Sequence, residues 1–211
     1  DRSPSRGLGD VYKRQSYDIN NDNGIKALTL VKDLVDAGSM SKEVINWTQG
    51  DVMNQFISGN IAMMVNGPWQ VPTMREQAPD LNWDVTLLPK DAEYASCLGG
   101  ENFGVIDGDN VDAALDFLQF ATSKDEVASY IDDFGYIAAR KDVAEGQFTD
   151  DETMQKFTEE MQYAQPRGPH AQWPEISDAL SLAVNESITG TSTPADAAAK
   201  AQSTIDGILA E

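Results

Sequence analysis

Four glycines set the frame of this chain. Gly38, Gly59, Gly135 and Gly190 each close a stretch whose apolar residues recur at helical spacing. Glycine just past the last turn is the commonest helix stop, because it takes the left-handed backbone without a Cβ clash. Ile25, Leu28, Val31, Leu34 and Val35 precede the first stop. Val52, Met53 and Phe56 precede the second, behind a capping-box-like Thr48/Asp51 pair and a Trp47 placed to staple onto Val52. Ser123 and Glu126 form a second capping box, opening a helix through Val127, Tyr130, Ile131 and Phe134. Pro174 opens another through Ile176, Ala179, Leu180, Ala183 and Val184. Helices are also predicted over 111–121 and 150–163, and from the Thr193-Pro194 pair to about residue 210. Three apolar runs read as strands: 61–65 (IAMMV), 81–88 closed by Pro89 with Trp83 in the core, and 97–106 (CLGGENFGVI) entered through a double-glycine turn. Helices in the majority with a few short strands make the class α/β or α+β.

The 211 residues are 41% hydrophobic, enough for one large domain or two small ones. Lys and Arg number 15 against 35 Asp and Glu, a net charge of −20. Such a surface repels phosphate backbones and anionic lipid and leaves neutral or cationic ligands as partners. One Cys (Cys97) and one His (His170) exclude a disulfide framework and a Cys/His zinc cluster, and Cys97 reads as a small buried residue. The acidic loop 18–24 fails the calcium pattern, because its sixth position is Asn23 and its twelfth Thr29. Gly99-Gly100 lacks a Walker lysine, and no G-x-S-x-G elbow occurs. We therefore expect no catalytic residues, no metal and no cofactor. A carbohydrate-active enzyme using a carboxylate pair and a surface module that binds protein are the alternatives to a binding protein.

Connections hold the residues best placed to touch a ligand. Trp69 follows Gly67-Pro68, Trp173 precedes a helix start, Glu101 lies at a predicted strand tip, and His170 sits in the loop 165–173. A flat indole beside a few hydrogen-bonding groups is what a sugar's C–H face and hydroxyl rim require.

Residues 1–15 stand apart. They hold four basic and two acidic residues, leaving 11 of the 15 basic and 33 of the 35 acidic residues downstream. SRGLGDVYKRQ resembles translated sequencing-adapter sequence found at the ends of metagenomic assemblies. On that reading the segment is a non-native tail to be excluded from fold reasoning, and the true N-terminus, with any signal, is missing.

Phe56-x-x-Gly59, Ala62-Met63 and Asn66-Gly67-Pro68-Trp69 resemble the F-x-x-G-x-x-A-M…G-P-W signature of extracellular solute-binding proteins of sugar ABC transporters. Leu88-Pro89, the Gly99-Gly100 turn, Phe117-x-x-Phe120-Ala-Thr-Ser123 and Gly135-Tyr-Ile-Ala-Ala-Arg140 follow in the same order, with Ala138 where the family often has Pro. The resemblance covers 17–211 and implies an α/β, periplasmic-binding-protein-like type II fold, incomplete because the family chain is about twice as long. It implies a C-terminal lobe from 17–96 and 163–211 and a segment, 97–162, returning to the N-terminal lobe. The implied function is capture of an oligosaccharide outside the cytoplasm and delivery to ABC permease subunits, as a monomer, periplasmic or lipid-anchored, with no nucleic-acid partner. Trp69 and Trp173 would stack on sugar, with Asn66, Glu101, Asn102 and His170 bonding its hydroxyls.

Overall fold

The computed structural model describes residues 17–167 and 170–210. In chain order its helices are α1 (Asp22–Asp36), α2 (Gln49–Ile57), α3 (Val71–Gln77), α4 (Val111–Ala121), α5 (Lys124–Tyr130), α6 (Lys141–Ala144), α7 (Glu152–Glu160), α8 (Trp173–Thr189) and α9 (Pro194–Leu209). Short 3₁₀ turns occupy Lys42–Asn46, Pro68–Gln70 and Met161–Tyr163. Among the described residues the four predicted stops are the glycines of positive φ, between 66° and 75°. The described residues form two compact units, one from 17–47 and 170–210, the other from Thr48–Arg167.

In the first unit α1, α8 and α9 pack on one another. Leu28 meets Ala183, Ala197, Ala198 and Ala201 at the centre, with Ile19, Ile25 and Val184 around them. Alanine gives up no rotamer freedom on burial, so a contact built from it is a low-entropy way to join helices. A second cluster, Ile176, Ala179 and Ile205, is flanked by Tyr17 and Trp173. Gln202 on α9 fixes the incoming chain: its side chain accepts the Ile19 N–H at 2.9 Å and donates to the Tyr17 carbonyl at 2.7 Å. Thr193 caps α9 as predicted, its side chain accepting the Asp196 N–H.

In the second unit the Thr48/Asp51 capping box forms, with Thr48 Oγ1 accepting the Asp51 N–H and Asp51 accepting the Thr48 N–H at 2.8 Å. Ser123 has the extended backbone of an N-cap, but its hydroxyl makes no capping bond, so the second predicted box is absent. Val127, Ala138 and Val143 form a core cluster with Tyr130, Ile131 and Ala144. Met74 and Met154 are the largest fully buried side chains of this unit.

The strands differ most from expectation. Among the described residues the sheet is two short parallel strands, β1 (Ser96–Leu98) and β2 (Ala164–Pro166), with Cys97 opposite Gln165. Residues 61–65 and 99–106 are not strands, and Met63, Val65 and Ile106 are 86%, 75% and 91% exposed. Residues 81–88 keep the predicted alternation of half-buried and exposed side chains without a ladder, so Trp83 is half-buried rather than core. Cys97 is exposed, not buried. A strand's own sequence supplies its side-chain pattern, but its backbone bonds need a partner strand. Within the described residues only 164–166 provides one. Segment 1–15, expected to be a non-native tail, lies outside the described residues.

Candidate functional site

The turn Asn66-Gly67-Pro68-Trp69 is held from both sides by the second unit. Asn66 Nδ2 donates to the Gln49 carbonyl at 3.0 Å, tying the turn to the first residue of α2, and Oδ1 accepts the Gly67 N–H at 3.0 Å. Pro68 opens a 3₁₀ turn closed by the Gln70 N–H on the Gly67 carbonyl, 3.1 Å. The indole of Trp69 then folds back over Gly67. A Cβ on Gly67 would stand 2.1–2.3 Å from three atoms of its six-membered ring, so the ring occupies the space a side chain would take.

A second turn abuts the first. Gly135 has φ +66°, and a Cβ there would lie 2.7 Å from the Pro68 carbonyl oxygen and 2.9 Å from the Pro72 ring. That close approach puts the Tyr136 ring 6.2 Å from Trp69, the planes inclined by 43°. The Phe134 ring lies 6.4 Å from Tyr136, and Tyr130 lies 6.1 Å from Phe134. Gln147 locks the turn: its amide donates to the Tyr136 carbonyl and to Asp132, and its oxygen accepts the Ala138 N–H at 2.7 Å. Trp69 and Tyr136 are half-buried and Phe134 is exposed. The arrangement offers aromatic faces with the indole N–H and phenol O–H at their edges, a surface for a neutral ligand with apolar and hydroxyl sides.

A cavity of about 260 Å³ is lined by Pro72, Gly135 and Phe148 with Arg75, Asp132 and Asp151. Arg75 donates two bonds to Asp151, at 2.7 and 2.9 Å. The guanidinium holds the Asp151 carboxyl below its usual range, helped by the Met154 N–H, while the partial burial opposes it. Both charges are therefore engaged within the protein.

The other predicted site residues are distributed between the units. Asn66 spends its amide on the turn. Glu101 and Asn102 share the second unit with Trp69 and are exposed on the extended run after Gly99-Gly100. His170 and Trp173 are in the first unit. His170 Nδ1 accepts the Gln172 N–H at 3.1 Å, and its carbonyl accepts the Trp173 N–H at 3.0 Å. Trp173 is half-buried, its ring 5.9 Å from Tyr17 at the edge of the core. Sequence reasoning missed Tyr136 and Gln147. An aromatic directly after a stop glycine was the available signal for the first; nothing in the sequence pairs Gln147 with residues 132–138. Among the described residues no group of three or more His, Cys, Asp or Glu converges to hold a metal.

Residues 8–156 match the sequence profile of the bacterial extracellular solute-binding proteins, a match that starts inside the segment 1–15. The chain belongs to that family. The solute-binding family is one of binding proteins, not enzymes. A curated relative from Brucella abortus, named as a binding protein, is 26% identical over 205 residues, covering 93% of this chain and 50% of its own length. An ABC transporter solute-binding protein from Thermotoga lettingae, solved with α-D-tagatose, superposes with a TM-score of 0.77 and 27% identity over 90% of this chain and 50% of that one. The maltose-bound MalE3 protein of T. maritima gives 0.79 and 21% over 95% and 56%. The fold is thus periplasmic-binding-protein-like, and the chain spans about half the length of the curated relatives it matches. No described helix is long and apolar enough to cross a membrane.

Proposed function

We propose that this chain is part of the solute-binding component of an ABC importer, which captures a neutral oligosaccharide outside the cytoplasm and hands it to the permease. The observation that carries the reading is the Trp69 indole, laid on Gly67 and set beside Tyr136 with part of its surface open. Stacking on a sugar's C–H face needs an aromatic plane already in place, and a fixed turn provides one without ordering cost at binding. A net charge of −20 disfavours anionic solutes. The T. lettingae and T. maritima structures, bound to tagatose and maltose, put carbohydrate among the ligands of similar proteins.

Glu101, Asn102 and the Nε2 of His170 are the groups we assign to ligand hydroxyls, with Trp173 as a further aromatic contact. In the whole protein we assign 17–96 and 163–211 to one lobe and 97–162 to the other, with sugar favouring lobe closure. The place of action is the periplasm or, through a lipid anchor, the outer face of the membrane.

Saturation-transfer NMR of this chain with maltotriose at millimolar concentration tests the reading. Signal on the sugar C–H protons is expected, lost in Trp69→Ala and kept in Trp83→Ala. Truncating an aromatic anchor costs ~2–4 kcal/mol, about 30- to 1000-fold, which takes weak binding out of range. Retention of the signal in Trp69→Ala, or no transfer to any neutral sugar, overturns the proposal.

A further inference from the structure

We propose that Tyr136 is the second ring of the binding platform and makes it respond to sugar chain length. The inference rests on the sugar-binding reading above and adds a residue and a ligand class to it. Tyr136 owes its place to two neighbours of its turn, Gly135 and Gln147. Gly135 lets the 134–136 turn approach to where a Cβ would be 2.7 Å from the Pro68 carbonyl. Gln147 holds the Tyr136 carbonyl at 3.1 Å and the Ala138 N–H at 2.7 Å. The ring is half-buried, lies outside the Val127–Ala138–Val143 cluster and faces Trp69 at 6.2 Å.

An indole face covers one pyranose. A second ring displaced by 6.2 Å and tilted by 43° cannot stack on that same sugar face, but it is displaced far enough to meet the next sugar of a chain. Phe134, 56% exposed, lies 6.4 Å from Tyr136. Trp69 therefore contacts a sugar of any length, and Tyr136 contacts only a ligand of two or more units.

The test is an NMR titration of the chain with glucose and with maltotriose, two neutral probes that differ in length. Tyr136→Leu keeps apolar bulk and removes the ring. It is expected to weaken maltotriose at least five-fold and change glucose less than two-fold, while Tyr136→Phe matches wild type because stacking needs no hydroxyl. Trp69→Ala is expected to weaken both. Equal loss of both sugars in Tyr136→Leu, or loss of neither while Trp69→Ala weakens both, overturns the role of Tyr136 and leaves the sugar-binding reading standing. No effect of Trp69→Ala overturns both. A measurement on the unaltered chain avoids any folding defect of the variants: irradiating the Tyr136 ring protons transfers magnetisation to maltotriose and not to glucose, and absence of that transfer also sinks the proposal.

Discussion

Gly67 has φ −110°, a conformation open to any residue, so its backbone does not demand glycine. Its missing side chain matters instead, because the Trp69 ring fills that space. Gly67→Ala is expected to leave stability within about 1 kcal/mol of wild type, since the displaced group is the far end of one side chain. The indole must then swing away, and sugar affinity falls about ten-fold, roughly 1.4 kcal/mol. Gly135→Ala behaves in the opposite way. Its φ of +66° and the backbone oxygen 2.7 Å from the new Cβ leave no cheap escape. Left-handed strain alone costs ~1–2 kcal/mol, so the melting midpoint should drop clearly. Thermal melts and tryptophan emission on the two variants separate the cases; a large destabilisation by Gly67→Ala would refute this account of the turn. The sequence Gly-Pro-Trp announces a turn, but not that the indole folds back onto its own glycine, because that contact depends on a χ choice no local pattern encodes.

Asp151 does two things at the head of α7: it caps the Met154 N–H at 3.1 Å and pairs with Arg75 on α3. Asp151→Ala is expected to cost about 1–2 kcal/mol, a lost cap plus a lost pair. Arg75→Met should cost under about 1 kcal/mol, since the Arg75 side chain is 48% exposed. The folded-state pKa of Asp151 is depressed, chiefly by Arg75. Its contribution is therefore present above the ordinary carboxylate value of about 3.9 and disappears as pH falls through the depressed one. The gap between wild type and Arg75→Met should hold from neutral pH to about pH 4 and close below it; a gap that widened in acid would contradict this. Helix α2 was legible because its Thr48/Asp51 cap, its period and its Gly59 stop all lie within or beside the element; α1 showed its period and stop, and α9 its Thr193-Pro194 start. Helix α3 was not legible: seven residues opened by Val71-Pro72 carry too little period to stand out. The strands failed for a different reason, since 61–65 and 99–106 have the right side chains and no described partner.

At the scale of the molecule, the family was legible from the order of short motifs. Which stretches share a core depends on contacts between the chain's ends, such as Leu28 with Ala198. The same holds for the platform, whose two turns are far apart in sequence and meet through Gly135. In residues 81–88 side-chain order and backbone order part company. Their side chains alternate between half-buried and exposed, yet within this segment only Leu81, Val85 and Leu88 have bonded amides, to the Ala78 carbonyl at 3.1 Å, the Asp84 carboxylate at 2.8 Å and the Glu160 carboxylate at 3.3 Å. Hydrogen–deuterium exchange reads amides and ignores side chains. Trp83, Thr86 and Leu87 should thus take up deuterium at nearly the rate of an unfolded peptide, while α8 and α9 exchange slowly. Slow exchange at Trp83 would show a hidden ladder. The expected isotope map has this segment among the fastest parts of the protein, even though its tryptophan is half withdrawn from water.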